Sequence, residues 1–114
     1  MERIYKNVLN GQEIEVFGQY WETRNSWGHN GILMIDGVEV ARDRVRYYNR
    51  TWESYRFQTA GRCAVGRYLD SLKQRALDRY REATGRIRLS AELKAGIWKL
   101  DPEVQRLQLV YNAL

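Results

Sequence analysis

The residues best suited to chemistry are three arginines near the middle of the chain, Arg42, Arg44 and Arg46. In an extended backbone, alternate side chains point to the same side and lie about 6–7 Å apart. Guanidinium groups bind phosphates and carboxylates through paired hydrogen bonds. This row therefore suits a polyanion or an acidic protein surface as partner, and it indicates no reaction.

Aromatic residues follow the arginine row directly in the sequence. Tyr47 or Tyr48, together with Trp52, could stack on nucleic-acid bases, a contact worth about 1–3 kcal/mol per base in single-strand binders. In the alternative interpretation, Trp52 and Tyr55 pack the start of a helix against a sheet. The sequence leaves both interpretations open.

The arginine row belongs to a longer basic segment, residues 42–88, with 13 Arg or Lys against 5 Asp or Glu. Residues 1–41 are acidic, with 3 Arg or Lys against 6 Asp or Glu, and the whole chain carries a net charge of +5. Such asymmetry favours an anionic partner. Arginine outnumbers lysine 15 to 4. This excess has two possible explanations, recognition of a partner by arginine or a GC-rich genome.

Cysteine and histidine counts exclude several classes of protein. Cys63 and His29 are each the sole residue of their type, so neither an internal disulfide nor a four-ligand zinc site can form. Cys63 is predicted to be a small core residue and His29 a solvated loop residue. Since no phosphate-binding, dinucleotide-binding or hydrolase motif is present, we expect a non-enzymatic protein without a metal or cofactor.

Length and hydropathy indicate a single domain over residues 1–114. No apolar run approaches the ~20 residues of a membrane span, and the N-terminus lacks the apolar core of a signal peptide. We therefore expect no membrane association and a cytoplasmic location in the host cell.

The N-terminal part predicts antiparallel strands. Asn10-Gly11 and Asp36-Gly37, each between apolar runs, are typical two-residue hairpin turns. Residues 24–31 are predicted to form a loop in which Trp27 either covers the sheet or contacts a partner. A fourth strand is expected over 38–48, with a bulge or turn near Asp43.

The C-terminal part predicts helices. A long helix is expected to begin at a cap formed by Asn49 or Thr51 and to end at Thr84-Gly85. Two short helices follow, capped by Ser90 and by Asp101 ahead of Pro102. The expected fold class is α+β, an antiparallel sheet of about four strands packed with one long helix and two short C-terminal helices.

The stretch from Arg46 through Trp52 to Thr59 resembles a segment in small orphan proteins of phages and mobile elements from Gram-positive hosts. In those proteins a strand ending in Tyr-Asn-Arg-Thr-Trp-Glu leads into a helix. The resemblance implies a phage protein, a class that includes anti-CRISPR inhibitors of host defence. Many such inhibitors are acidic and imitate DNA, whereas this chain is basic; it would instead occupy an acidic surface of a nuclease or touch its guide RNA.

The first hypothesis is therefore a non-enzymatic inhibitor of a host nuclease or CRISPR effector that acts by protein contact. A nucleic-acid-binding accessory protein and a self-associating structural component are the alternatives, and the oligomeric state is left open. Arg56 and Arg67 of the long helix share an arc with Asp70, which is typical of either a binding face or a solvated one. The residues predicted to bind the partner are Arg42, Arg44, Arg46, Tyr48, Arg50, Arg56, Arg67 and Trp27.

Overall fold

A computed structural model describes residues 1–47 and 57–114 as four strands followed by three helices. This confirms the predicted α+β class. None of the helices in these two ranges is long and apolar enough to cross a membrane. The elements are β1 (Glu2–Leu9), β2 (Gln12–Glu22), β3 (Trp27–Ile35), β4 (Val38–Tyr47), α1 (Phe57–Thr84), α2 (Ala91–Leu100) and α3 (Pro102–Ala113).

The sheet is an antiparallel meander in the order β1-β2-β3-β4. Both predicted hairpin turns are confirmed: Asn10 and Gly11 have φ of 50° and 79°, and Asp36 and Gly37 have φ of 51° and 78°. Two successive residues with positive φ form the turn whose twist matches the flanking strands. Asn-Gly and Asp-Gly tolerate these angles, so the local sequence fixes β1–β2 and β3–β4 pairing.

A bulge in β4 lies at Val40, because the pairing with β3 shifts between Leu33–Ala41 and Met34–Glu39. The predicted position near Asp43 is therefore wrong by three residues. From Ala41 to Tyr47 the pairing runs without a break. Arg42, Arg44 and Arg46 consequently project from one face of the sheet, and Asp43 projects from the other.

One face of the sheet packs against α1, and α3 packs beside that helix. The inward residues of β2 and β3 meet an apolar stripe of α1 formed by Val65, Leu69 and Leu72. The buried residues of this core are Ile14, Val16, Leu33, Val65, Leu69, Leu72, Val104, Leu107 and Val110.

Glycines allow α1 to approach the sheet very closely. A Cβ atom on Gly31 of β3 would lie 1.9 Å from the backbone carbonyl oxygen of Ala60, and one on Gly61 would lie 2.5 Å from the Ile4 side chain. The backbone atoms of Ala60 could give way to such a Cβ atom only if the whole of α1 moved away from the sheet. Gly31 is therefore the point at which the backbone of α1 contacts the sheet.

The ends of the helices follow the predicted signals. Gly85 has φ of 72° after the last residue of α1. The Ser90 hydroxyl accepts a hydrogen bond from the Leu93 amide at 3.2 Å, and the Asp101 carboxylate accepts one from the Val104 amide at 3.1 Å. Each such cap stabilises its helix by about 0.5–2 kcal/mol. The predicted cap of the long helix at Asn49 or Thr51 lies outside the described residues.

We expect Gly31→Ala to lower the free energy of unfolding by about 1–3 kcal/mol or more, because the added methyl group meets helix backbone. Gly96→Ala in α2 is the matched control, since nothing lies within 4 Å of its Cβ position. This control should gain about 0.5–1 kcal/mol from helix propensity. Urea denaturation followed by circular dichroism measures both; equal stability of the two variants would contradict the close contact.

Candidate protein-binding surface

The face of the sheet opposite α1 carries no helix of the described residues. Arg42, Arg44 and Arg46 are exposed along β4 on this face, as the alternation of the strand requires. Ile32 of β3 lies beside the row, opposite both Phe17 and Arg42, and only 2% of it is exposed. Ile32 therefore gives this face a partly apolar centre.

Arg44 stacks on Trp21 of β2. Its guanidinium carbon lies 3.7 Å from the centre of the indole ring, a cation–π contact worth about 0.5–1 kcal/mol when exposed. The Trp21 ring lies against Gly28, which pairs with Trp21 on one side and with Arg46 on the other, and a Cβ atom on Gly28 would lie 2.9 Å from the ring. Glycine in β3 therefore creates the space for this pair.

The other two arginines of the row differ in their pairing. Arg42 forms an ion pair with Glu39 at 2.7 Å. Arg46 is exposed and has no ion-pair partner within residues 1–47 and 57–114. Its charge is therefore not neutralised by a carboxylate of these two ranges.

Charges on the β1–β2 half of the open face are balanced. Arg3 lies 3.4 Å from Glu15, and Lys6 lies 3.2 Å from Glu13. Such half-exposed pairs contribute little stability, but they neutralise this half. The excess positive charge of the open face is consequently confined to β4.

Arg67 lies on the other side of β4, on helix α1. Its guanidinium is 3.7 Å from the Asp43 carboxylate, and it lines a shallow cleft of about 450 Å³ between α1 and β4. Arg62, Cys63 and Tyr111 line the same cleft. The structure thus brings Arg42, Arg44 and Arg46 together and places Arg67 across the strand from them.

Trp27 is not a loop residue, contrary to the prediction. It begins β3 opposite Tyr47, and only 8% of it is exposed. Its ring centre lies 6.4 Å from that of Tyr20 and 6.5 Å from that of His29. A side chain this buried offers little area to a partner, so Trp27 does not belong to the exposed surface around the arginine row.

His29 is also buried, with 3% exposed, although the sequence predicted a solvated loop residue. The run Trp27-Gly28-His29-Asn30-Gly31 has the composition of a loop, but its glycines serve close packing within a strand. Burial lowers the pKa of His29 from its ordinary value of 6.5. The imidazole is therefore neutral in the folded protein near neutral pH.

Cys63 is exposed, and its predicted place in the core is wrong. At 100° per residue, Cys63 lies about 100° from Ala64 and about 160° from Val65, so it points away from the buried side of α1. Partial burial and the nearby Asp43 carboxylate raise the pKa of its thiol, against the opposing effect of Arg62. A thiol held protonated is a weak nucleophile.

Three predicted binding residues, Tyr48, Arg50 and Arg56, lie outside the described residues. They remain predictions. No signal in the sequence identified Trp21, since its partner Arg44 is far from it along the chain and the two meet only through the sheet register.

Comparison with known proteins gives no relative: no family model, no curated protein and no solved structure matches this chain.

We expect the free energy of unfolding to fall as the pH drops from about 7.5 to about 5.5, because the unfolded chain then binds a proton at its single histidine that the folded chain does not bind. The loss begins near the ordinary pKa of 6.5. His29→Gln removes this group, so its stability should change less over the same range. Urea denaturation at the two pH values measures the free energy of unfolding of each protein. An equal loss of stability in the parent protein and in His29→Gln would contradict this expectation.

Proposed function

We propose that this chain is a non-enzymatic binding protein of phage or mobile-element type, which inhibits a host defence nuclease of the CRISPR kind in the cytoplasm of the host cell. It acts by contact with an acidic surface of the effector protein. The observation that carries the binding role is the exposed row Arg42, Arg44 and Arg46 beside Trp21 on an open sheet face. The inhibitor role comes from the resemblance of residues 46–59 to phage proteins.

The chemistry of the open face favours a protein partner over nucleic acid. Glu13, Glu15 and Glu39 stand among the basic residues and would repel phosphates. One face of the Trp21 ring is already covered by Arg44 and so cannot stack on a base. Tryptophan and arginine are the residues that most often dominate binding energy at protein interfaces.

Nucleic-acid binding is a second candidate, favoured by the regular spacing of the arginine row and by the charge of Arg46, which forms no ion pair with another described residue. Each neutralised phosphate releases counterions, so such binding would weaken steeply with salt. A gel-shift assay with labelled single- and double-stranded DNA and RNA, at low and physiological salt, separates the two candidates. Tight, salt-sensitive binding favours nucleic acid, whereas no shift assigns the arginines to a protein surface.

We expect Arg44→Glu/Arg46→Glu to lower inhibitory potency at least about tenfold, because interface hot spots typically contribute about 2 kcal/mol or more each. The assay is the protection of a targeted plasmid in cells with an active CRISPR system, followed by DNA cleavage with the purified effector.

The matched control is Arg86→Glu/Arg88→Glu, which makes the same change in charge on exposed residues beyond the end of α1. It should inhibit like the parent protein. Circular dichroism establishes that both double variants fold. Full inhibition by folded Arg44→Glu/Arg46→Glu, or equal loss in the control, would overturn the assigned surface, and no inhibition by the parent chain would overturn the function.

A further inference from the structure

Strand β4 forms one edge of the sheet, and no strand of the described part pairs with its outer side. It is ten residues long, which is long for an exposed edge. The outward backbone groups of an edge strand can pair with an extended segment of another chain.

The direction of the backbone groups follows from two contacts. The Arg44 amide donates to the Asp43 carboxylate at 2.9 Å, whereas the Val45 carbonyl faces β3 so closely that a Cβ atom on Gly28 would lie 1.9 Å from its oxygen. In antiparallel pairs, backbone groups of alternate residues point to alternate sides. Arg42, Arg44 and Arg46 therefore direct their backbone groups to the free edge.

Asp43 occupies part of this edge. Its carboxylate accepts from the Arg44 amide and lies near the Arg67 guanidinium. A carbonyl of an added strand would bind that same amide. Asp43 thus makes, within the chain, the amide contact that an added strand would make from outside.

The space between β4 and α1 fits the inward side chains of an added strand. The cleft of about 450 Å³ beside Asp43 and Arg67 shares the lining residue Arg67 with a smaller hollow of about 180 Å³. The smaller hollow is lined partly by apolar groups of Val40, Ala41 and Tyr68. Alternate side chains of an extended segment would enter these two spaces.

Charge decides between possible occupants of the edge. Arg42, Arg44 and Arg46 lie on one side of it and Arg62 and Arg67 on the other, against the carboxylates of Glu39, Asp43 and Asp70. A second copy would place arginine opposite arginine, and like charges directly opposite each other destabilise a strand pair. An acidic segment would instead gain cross-strand ion pairs.

We propose that an extended acidic segment of a partner protein adds to the edge of β4 as a fifth strand and displaces Asp43 from the Arg44 amide. Acidic side chains lie beside the arginine row, and apolar side chains alternate into the cleft against α1. This inference deepens the proposed function by stating how the partner is held; strand addition itself does not depend on the partner being a nuclease.

The probe is a peptide of alternating glutamate and valine, about as long as β4, titrated calorimetrically into the full chain. Two further peptides carry N-methyl groups on either all glutamate or all valine amides, with unchanged net charge. In an added strand only alternate amides face β4. We expect binding by the parent peptide, loss with one methylated set and retention with the other. Equal binding of all three peptides, or binding of none, would overturn strand addition.

Variants of Asp43 test the displacement. Asp43→Asn removes the negative charge that would repel the glutamates of the peptide, but it keeps an oxygen that can accept from the Arg44 amide. Asp43→Ala removes both the charge and the oxygen. We expect peptide affinity to rise severalfold, in the order parent, Asp43→Asn, Asp43→Ala, because each substitution weakens the Asp43 contacts that compete with the peptide. Unchanged or weaker binding by both folded variants would overturn the displacement.

The remaining occupants are outcomes of the same experiments. Light scattering that shows a dimer dispersed by Arg44→Glu/Arg46→Glu would assign the edge to a second copy and overturn the proposal. If an oligonucleotide displaced the bound peptide at a concentration below that of the peptide, the edge would be assigned to nucleic acid and the proposal would likewise be overturned. Inhibition without peptide binding refutes strand addition alone, and peptide binding without inhibition refutes the nuclease target alone.

Discussion

The contact between Gly31 and the backbone of Ala60 is the constraint on which the rest of the structure depends. It brings α1 onto the middle of the sheet, so that the apolar residues of β2 and β3 are buried by one helix and the adjoining α3. All of the main core lies on that side. The opposite face is left to mixed charges around Ile32, and this one-sided burial leaves that face free of described helices for the binding role proposed for it.

Glycine has a similar role on the open face. Gly28 allows Trp21 to lie across β3 and reach Arg44. The cation–π pair fixes the middle arginine of the row, while Arg42 is held by Glu39. Two of the three arginines are thus oriented before any partner arrives, which reduces the side-chain entropy that binding must overcome. Arg46 remains unpaired among the described residues and supplies charge rather than shape.

The parts of the fold that sequence predicted correctly are those encoded locally. Asn10-Gly11 and Asp36-Gly37 define their turns through backbone angles, and Ser90 and Asp101 cap their helices through their own side chains. The errors concern residues whose environment is set by distant contacts. Trp27 and His29 stand among glycines that resemble a loop, yet these glycines make room for α1 and Trp21. Cys63 belongs to a small-residue stretch whose buried side is decided by where the sheet lies. Of the binding surface, the arginine row was predictable from its spacing, but Trp21 was not.

The extra residue at Val40 has a consequence for which side of the molecule is charged. With the turn at Asp36-Gly37 fixed, continuous pairing without a bulge would place Arg42 opposite Gly31 and Arg44 opposite His29, on the side that α1 covers. A one-residue change in register exchanges the two faces of a strand. Insertion or deletion of a single residue before Ala41 would therefore decide whether the arginines of β4 face solvent or α1. The number of residues between the Asp36-Gly37 turn and Ala41 thus bears both on folding and on the proposed recognition.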